Sequence, residues 1–218
     1  MNENRIITEK KIYISSLITG YMEEKKEITS LIDAVRAVEE GLGMLKAYDH
    51  YTYTHCINVG ILANEIGSEL EFDSESMTIL TVAATLHDIG KMGVSDAVLN
   101  KEGPLDEKEW DVMKKHPVMG KSILEGLFPL LDTRIIKAVG GHHERCDGSG
   151  YPKGTAGADV FSEIIAVADV FDAMTHNRPY HKGCSAMEAF ETMLADSGLR
   201  NEYVKILMTA LEKVEKAG

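Results

Sequence analysis

A chain of 218 residues with 44% apolar content can bury one sizeable core, and few aromatics (6%) beside 11 methionines favour helices over sheet. The formal net charge of −12 sets the surface against nucleic-acid polymers and anionic membranes, although bound metal can reverse the sign locally for a small anionic substrate. Cys56, Cys146 and Cys184 form no CxxC pair and no disulfide framework, no signal peptide is visible, and no window of about 18 residues is apolar enough to span a bilayer, so a reducing cytoplasm is expected.

Residues 1–46 read as helical and carry no obvious chemistry. Ile12, Leu17, Ile18 and Tyr21 suggest one stripe; Ile28, Leu31, Ile32, Val35, Val38, Leu42 and Leu45 form a better one, weakened at its end by Gly41 and Gly43. Packing is the plain role for this segment, and a dimerising or partner-binding helix is the sharper one. A boundary is expected after residue 46, with the functional domain over 47–218.

A helix over about Thr52–Leu70 carries His55, with Val59, Leu62, Ala63 and Ile66 on its apolar face. Asp73 or Ser74 should cap the next helix, with Glu75 in its first turn. That helix contains the apolar run 79–84 and ends in Thr85-Leu86-His87-Asp88-Ile89-Gly90-Lys91. A His-Asp pair at the end of a buried helix is costly unless its charge is paired or bound to metal. Imidazole and carboxylate together suit Fe, Mn or Zn. The plain alternative is a capped helix end, with Gly90 as the residue just past the cap.

Residues 92–104 read as a loop punctuated by Gly93, Gly103 and Pro104. Asp106 opens a helix through Trp110 and Met113 to His116, where Pro117 either ends it or begins another. Asp132 should cap a helix over 132–143, with Ile135, Ile136 and Val139 inward, that runs into His142-His143-Glu144. The glycines of the following loop allow close approach of backbone to a ligand. A largely buried helix over 159–176 is interrupted by Asp169 and Asp172, and both need a reason to be there. Two amphipathic helices, from about Ser185 and about Glu202, close the chain. No strand pattern is found, and the expected class is all-α.

His55, His87-Asp88, His116, His142-His143 and Asp169 fall in this order on successive helices. That order is similar to the HD-GYP branch of the HD-domain metal-dependent phosphohydrolases. His87-Asp88-Ile89-Gly90-Lys91 resembles the HD core. The run from His142-His143-Glu144 through Asp147-Gly148-Ser149-Gly150-Tyr151-Pro152 resembles the motif that names the branch, and Ala166 to Thr175 with Arg178-Pro179-Tyr180 resembles its downstream signature. The likeness covers roughly 47–212.

The resemblance implies an HD-domain helical bundle with a short N-terminal helical extension. It implies a bacterial cyclic di-GMP phosphodiesterase that yields linear pGpG, GMP or both, through a hydroxide activated by two divalent metals. Fe or Mn are the expected metals, with Zn, Ni or Mg as alternatives. His55, His87, Asp88 and Asp169 would surround one metal, and His116, His142 and His143 would complete a neighbouring one, with Asp88 as the bridge. Lys91 would act on the scissile phosphate as a point charge; its plain reading is a helix-end cation. Arg178, Tyr151 and His181 are the expected substrate contacts, although Arg178 could equally pair with Asp172 and Tyr151 could be a packed corner. A second copy or a signalling protein is the expected protein partner.

Some positions depart from the pattern. Tyr51 stands where relatives with a third metal carry an acid, leaving Asp49 or His50 as remote substitutes. Glu163 stands where arginine is frequent, which either weakens substrate binding or reroutes an ion pair. Ser95 replaces a frequent proline, and His181 a frequent basic residue. Two other functions compete: a non-catalytic cyclic-dinucleotide sensor or docking module, and an HD phosphohydrolase of another cyclic dinucleotide or nucleotide.

Overall fold

The structure, a computed structural model, describes residues 28–176 and 182–217, with side chains over 32–176 and 182–214. Ten α-helices and one short 3-10 helix are found there, with no strand among the described residues. The all-α expectation holds.

Helix α1 (Ile28–Tyr48) contributes Ala34, Ala37, Val38, Leu42 and Leu45 to the main core. It runs unbroken past residue 46, and its apolar face is continuous with the core of the helices that follow. The stripe expected over Ile12–Tyr21 lies outside the described residues. Helix α2 (His50–Glu69) starts where the Asp49 carboxylate accepts from Thr52 N at 2.6 Å. Helix α3 (Ser74–Leu86) starts likewise at Asp73, which accepts from Ser76 N at 2.8 Å. Each cap satisfies a backbone donor that the helix itself leaves open.

Every residue of α3 from Met77 to Leu86 is buried. That explains its continuous apolar run, since a helix covered on all sides has no polar face to show. Helix α2 lies centrally and packs against α1 and α3 and, further along the chain, against α8 (Val160–Thr175) and α10 (Asn201–Ala217).

After α3 a 3-10 helix, Ile89–Gly93, turns the chain. The stretch expected as loop contains a further short helix, α4 (Asp96–Leu99), with Ser95 at its N-terminal cap position. Helix α5 (Glu107–Met113) is closed by a reciprocal cap between Asp106 and Glu109 and buries no residue. The helix expected to reach His116 breaks there, and α6 (His116–Leu127) begins with Pro117 in its first turn, where proline's missing donor costs nothing. Helix α7 (Thr133–Gly141) starts at the Asp132 cap, α8 at Asp159, and α9 (Ala186–Ala195) at a Ser185–Glu188 capping box.

The 3-10 helix lies directly against α6. A Cβ on Gly90 would sit 1.9 Å from the His116 carbonyl oxygen and 2.4 Å from Gly120 N. Gly90 does not have positive φ, so it is not the left-handed helix cap that the sequence allowed. It is glycine because two backbones touch there. This contact brings the ends of α3 and α6 together. No helix among the described residues is long and apolar enough to cross a membrane.

Candidate metal centre

Five helices bring their ligand-type residues to one buried point. His55 comes from α2, His87 and Asp88 from the end of α3, and His116 from the first position of α6. His142 and His143 follow the end of α7, and Asp169 lies mid-way along α8. His55, His87, Asp88, His116, His142 and Asp169 are all buried, and His143 is half-buried.

The ligand atoms fall into two groups that meet at Asp88. Asp88 Oδ2 lies 3.6 Å from His55 Nε2 and 3.4 Å from His87 Nε2. Asp169 Oδ1 joins that group, 3.0 Å from His55 Nε2 and 4.0 Å from His87 Nε2. Asp88 Oδ1 turns the other way, 3.1 Å from His116 Nε2 and 3.9 Å from His142 Nε2. His143 lies beside this second group, with Nδ1 3.9 Å from Asp169 Oδ2. Asp88, His116, His142 and His143 form one set close enough to share an ion; His55, His87 and Asp169 form another.

The orientation of the imidazoles follows from local hydrogen bonds. His87 Nδ1 donates to Ala84 O at 2.8 Å, His116 Nδ1 to Met113 O at 2.8 Å, and His142 Nδ1 to Val139 O at 2.7 Å. Each acceptor is the carbonyl three residues earlier, left open at a helix end. A carbonyl only accepts, so each Nδ1 must carry the proton. His55 Nδ1 donates instead to Asp172 Oδ2 at 2.7 Å. All four rings therefore turn their other nitrogen, Nε2, to the centre, the orientation in which a histidine binds metal.

A cation fits these residues. His87 Nε2 and Asp88 Oδ1 are buried and have no hydrogen-bond partner. His116 Nε2 and His142 Nε2 face each other at 3.2 Å, a spacing that calls for a proton or a metal ion between them. Burial works against charge on Asp88, but Lys91 and His87 outweigh it and hold the carboxyl well below its ordinary range. Asp169 is likewise held low by His55, against the pull of burial. Burial, reinforced by neighbouring histidines, keeps His142 far below its usual value, and burial lowers His143 to about 3. The centre thus offers ionised carboxylates and, at His142 and His143, neutral imidazoles. Burial opposes charge on His55 and His87, but Asp169 and Asp172 raise the first and Asp88 raises the second, so a divalent ion would take the place of a proton on each.

Lys91 Nζ lies 2.5 Å from Asp88 Oδ2. Burial opposes its charge, but Asp88 prevails and raises the ammonium above its ordinary value. Tyr151 stacks on His143, with ring centroids 4.6 Å apart and planes 27° apart; burial pushes its phenol up, so it stays protonated. Arg178 and His181 lie outside the described residues.

The departures have structural reasons. Tyr51 stacks on His55 with planes 8° apart. Asp49 caps α2, and His50 is exposed. Glu163 reroutes an ion pair: its carboxylate takes both prongs of Arg200, at 2.6 and 3.0 Å.

Several contributing residues are not evident from sequence as site residues. Asp172 appears there as an acid that needs a reason and as an alternative partner for Arg178; it accepts from His55 Nδ1 and lies 2.8 Å from His176 Nδ1. Glu144 is buried and accepts from Lys153 N, Gly154 N and Thr155 N at 2.7, 3.0 and 3.3 Å. It therefore pins the loop that carries Tyr151. The buried Cys56 thiol lies close enough to His87 and Asp88 to share an ion with them. Its only sequence signal is its place beside His55.

A family model described as HD domain matches residues 17–201. The chain belongs to the HD domain family. Divalent-metal binding is implied by that membership, and the His/Asp cluster accords with it. A cyclic di-GMP phosphodiesterase of Pseudomonas aeruginosa is 39% identical over 161 residues, 71% of this chain and 37% of that protein. A 3′3′-cGAMP-specific phosphodiesterase of Vibrio cholerae is 37% identical over 152 residues, 69% of this chain and 33% of that protein. The chain thus spans about a third of the length of these relatives. An HDG"Y"P protein from Bdellovibrio bacteriovorus shares the HD fold, with a TM-score of 0.62 at 19% identity over 90% of this chain and 77% of that one.

Proposed function

We propose that this HD domain protein is a metal-dependent phosphodiesterase that opens a cyclic purine dinucleotide, with cyclic di-GMP as its first substrate. The observation that carries the reading is the pair of ligand groups sharing Asp88, with four imidazoles each anchored through Nδ1. Two divalent ions fit it, Fe or Mn first by ligand type, one held by His55, His87, Asp88 and Asp169 and one by Asp88, His116, His142 and His143. When bound, such ions acidify water and offset negative charge on a phosphate.

The reaction adds water to phosphorus and expels the 3′-oxygen, leaving a 5′-phosphate on a linear dinucleotide; a second cut of the same kind gives GMP. The two oxygens of Asp88 face different ligand groups, so one side chain can fix the spacing of both. Asp172 holds the His55 ring so that its Nε2 points inward. Lys91 is half-buried and next to Asp88. Its ammonium can meet the charge that builds on the phosphate oxygens as the bond to water forms. Arg178 and His181 are proposed to hold the rest of the substrate, and Tyr151 to line its path.

A mixed GMP–AMP cyclic dinucleotide is the second candidate substrate, because a 37% identical relative bears that name. A cytoplasmic location fits either substrate. The segment before α1 is proposed as regulatory or dimerising. Deletions that test this should stop before Ile28, because α1 packs into the core.

The deciding experiment is anaerobic purification with metal quantification, followed by incubation with each cyclic dinucleotide and separation of products. Bound Fe or Mn with a linear dinucleotide or GMP is the expected result. Bound metal with no turnover of any cyclic dinucleotide would overturn the enzyme reading.

A further inference from the structure

Trp110 is the chain's one tryptophan, and it is 44% exposed. Indoles usually bury their large surface, yet α5 buries none of its residues. Polar contacts hold the helix instead. Asp106 and Glu109 cap each other, Lys101 pairs with Glu109, and the Met113 carbonyl at the helix end receives the His116 Nδ1 proton. The helix is thus tied to a metal-centre histidine, and Trp110 lies one turn before that tie.

Trp110 meets Tyr151 edge-on, with ring centroids 6.0 Å apart and planes at 76°. Tyr151 in turn stacks on His143 and lies 6.5 Å from the His116 ring. A line of rings therefore runs from the centre out to an indole in water. A cyclic dinucleotide has two kinds of surface. Its phosphates suit the cationic centre and Lys91, while its purines are flat and apolar and need π faces. Tyr151 already gives one face to His143. Of the rings in this line, Trp110 is the exposed one, whereas Tyr151 and His143 are half-buried and His116 is buried.

We propose that Trp110 is a substrate-binding residue that stacks against one purine of the cyclic dinucleotide. This rests on the phosphodiesterase reading above. Stacking tolerates any base, so Trp110 contributes affinity to cyclic di-GMP and to the mixed dinucleotide alike, and it leaves the choice between them to other groups.

The sole tryptophan makes the test direct. The metal-loaded wild-type protein is titrated with the bisphosphorothioate of cyclic di-GMP, a slowly cleaved analogue, and indole fluorescence is followed at excitation where tyrosine does not absorb. Saturable quenching is expected, with none from ribose 5-phosphate, which lacks a base. In steady-state hydrolysis of cyclic di-GMP, Trp110→Ala should raise KM roughly 5- to 150-fold, the range for loss of one stacked base. Its kcat should stay within about 2-fold, because the phosphate end is untouched, and Trp110→Phe should recover most of the loss. Wild-type turnover without quenching, or Trp110→Ala with unchanged KM, would overturn the stacking role while leaving the enzyme reading intact. A fall in kcat at unchanged KM would also overturn it and make Trp110 a brace for Tyr151. Neither turnover nor quenching in the metal-loaded wild type would overturn both readings.

Discussion

Asp172 accepts from His55 Nδ1 at 2.7 Å and lies 2.8 Å from His176 Nδ1. Burial alone would raise its pKa; the bonds from His176 and His55 outweigh burial and bring it to about 2. It is therefore an anion in any working buffer, and it fixes which nitrogen of His55 faces the centre. Asp172→Ala should weaken metal binding about 10- to 100-fold, the usual cost of removing a partner of a ligating histidine. Chelator competition measures this, and an unchanged affinity would mean that packing alone orients His55. Asp88→Ala goes further, because both ligand groups lose their shared oxygen donor. It should abolish turnover of cyclic di-GMP and reduce metal content while leaving the far-ultraviolet dichroism helical. Full activity in that variant would sink the shared-carboxylate mechanism.

Between elements, the decisive contacts are backbone ones. The 3-10 helix and α6 touch at Gly90, where an added methyl would meet the His116 carbonyl and Gly120 N. Neither neighbour is a flexible side-chain end, so the two elements must move apart. Gly90→Ala should cost about 3 kcal/mol, the upper part of the range for overpacking, and should lower metal affinity as well, because His116 moves with α6. Thermal melting with metal titration checks both effects. The loop after α7 depends on Glu144, which collects three backbone N–H groups. Glu144→Ala leaves those donors without their anion and should cost about 2 kcal/mol, with faster hydrogen exchange at Lys153, Gly154 and Thr155.

The same loop carries a pH signature. Ser149, through its side chain and backbone, and the Ser197 hydroxyl hold Asp147 down to about 2. Its folded pKa lies below the unfolded value of about 3.9. Its contribution is therefore fully present above about pH 4 and is lost as pH falls toward 2. The melting-temperature gap between wild type and Asp147→Ala should narrow as the buffer is taken below pH 4. A gap that stays constant would mean that the aspartate's charge plays no part.

Across the whole molecule, the centre draws on α2, α3, α6, α7 and α8 at once. A bound ion therefore ties together elements far apart in sequence. Binding to the native state alone stabilises by mass action, about 4 kcal/mol when free metal is 1,000 times its dissociation constant. Chelation should lower the melting temperature by several degrees and leave the helix content intact, because α3 is buried by apolar neighbours with or without metal. Loss of helix on chelation would mean that metal is needed to form the core.

Much was legible in the chain itself because its signals are local. Caps at Asp73, Asp106, Asp132 and Ser185 act over two or three residues, and apolar periodicity acts within one helix. The order of histidines and aspartates, with the glycine-rich loop after His142-His143, was enough to point to the family. Other features depend on distance in space. Asp172 pairs with His55 from 117 residues away, and nothing near either residue announces it. Glu144 reads only as the residue after His142-His143 until the loop folds back onto it. Gly90 reads as a helix cap until α6 lies against it. Trp110 reads as one more residue of a helix until α5 turns out to bury nothing. Sequence by itself determined which residues could ligate and where helices begin, because those are properties of short segments. Only the tertiary structure decided how Asp88 divides its oxygens, which nitrogen each imidazole turns inward and which ring stands in water, because each depends on groups that the chain brings together only when it folds.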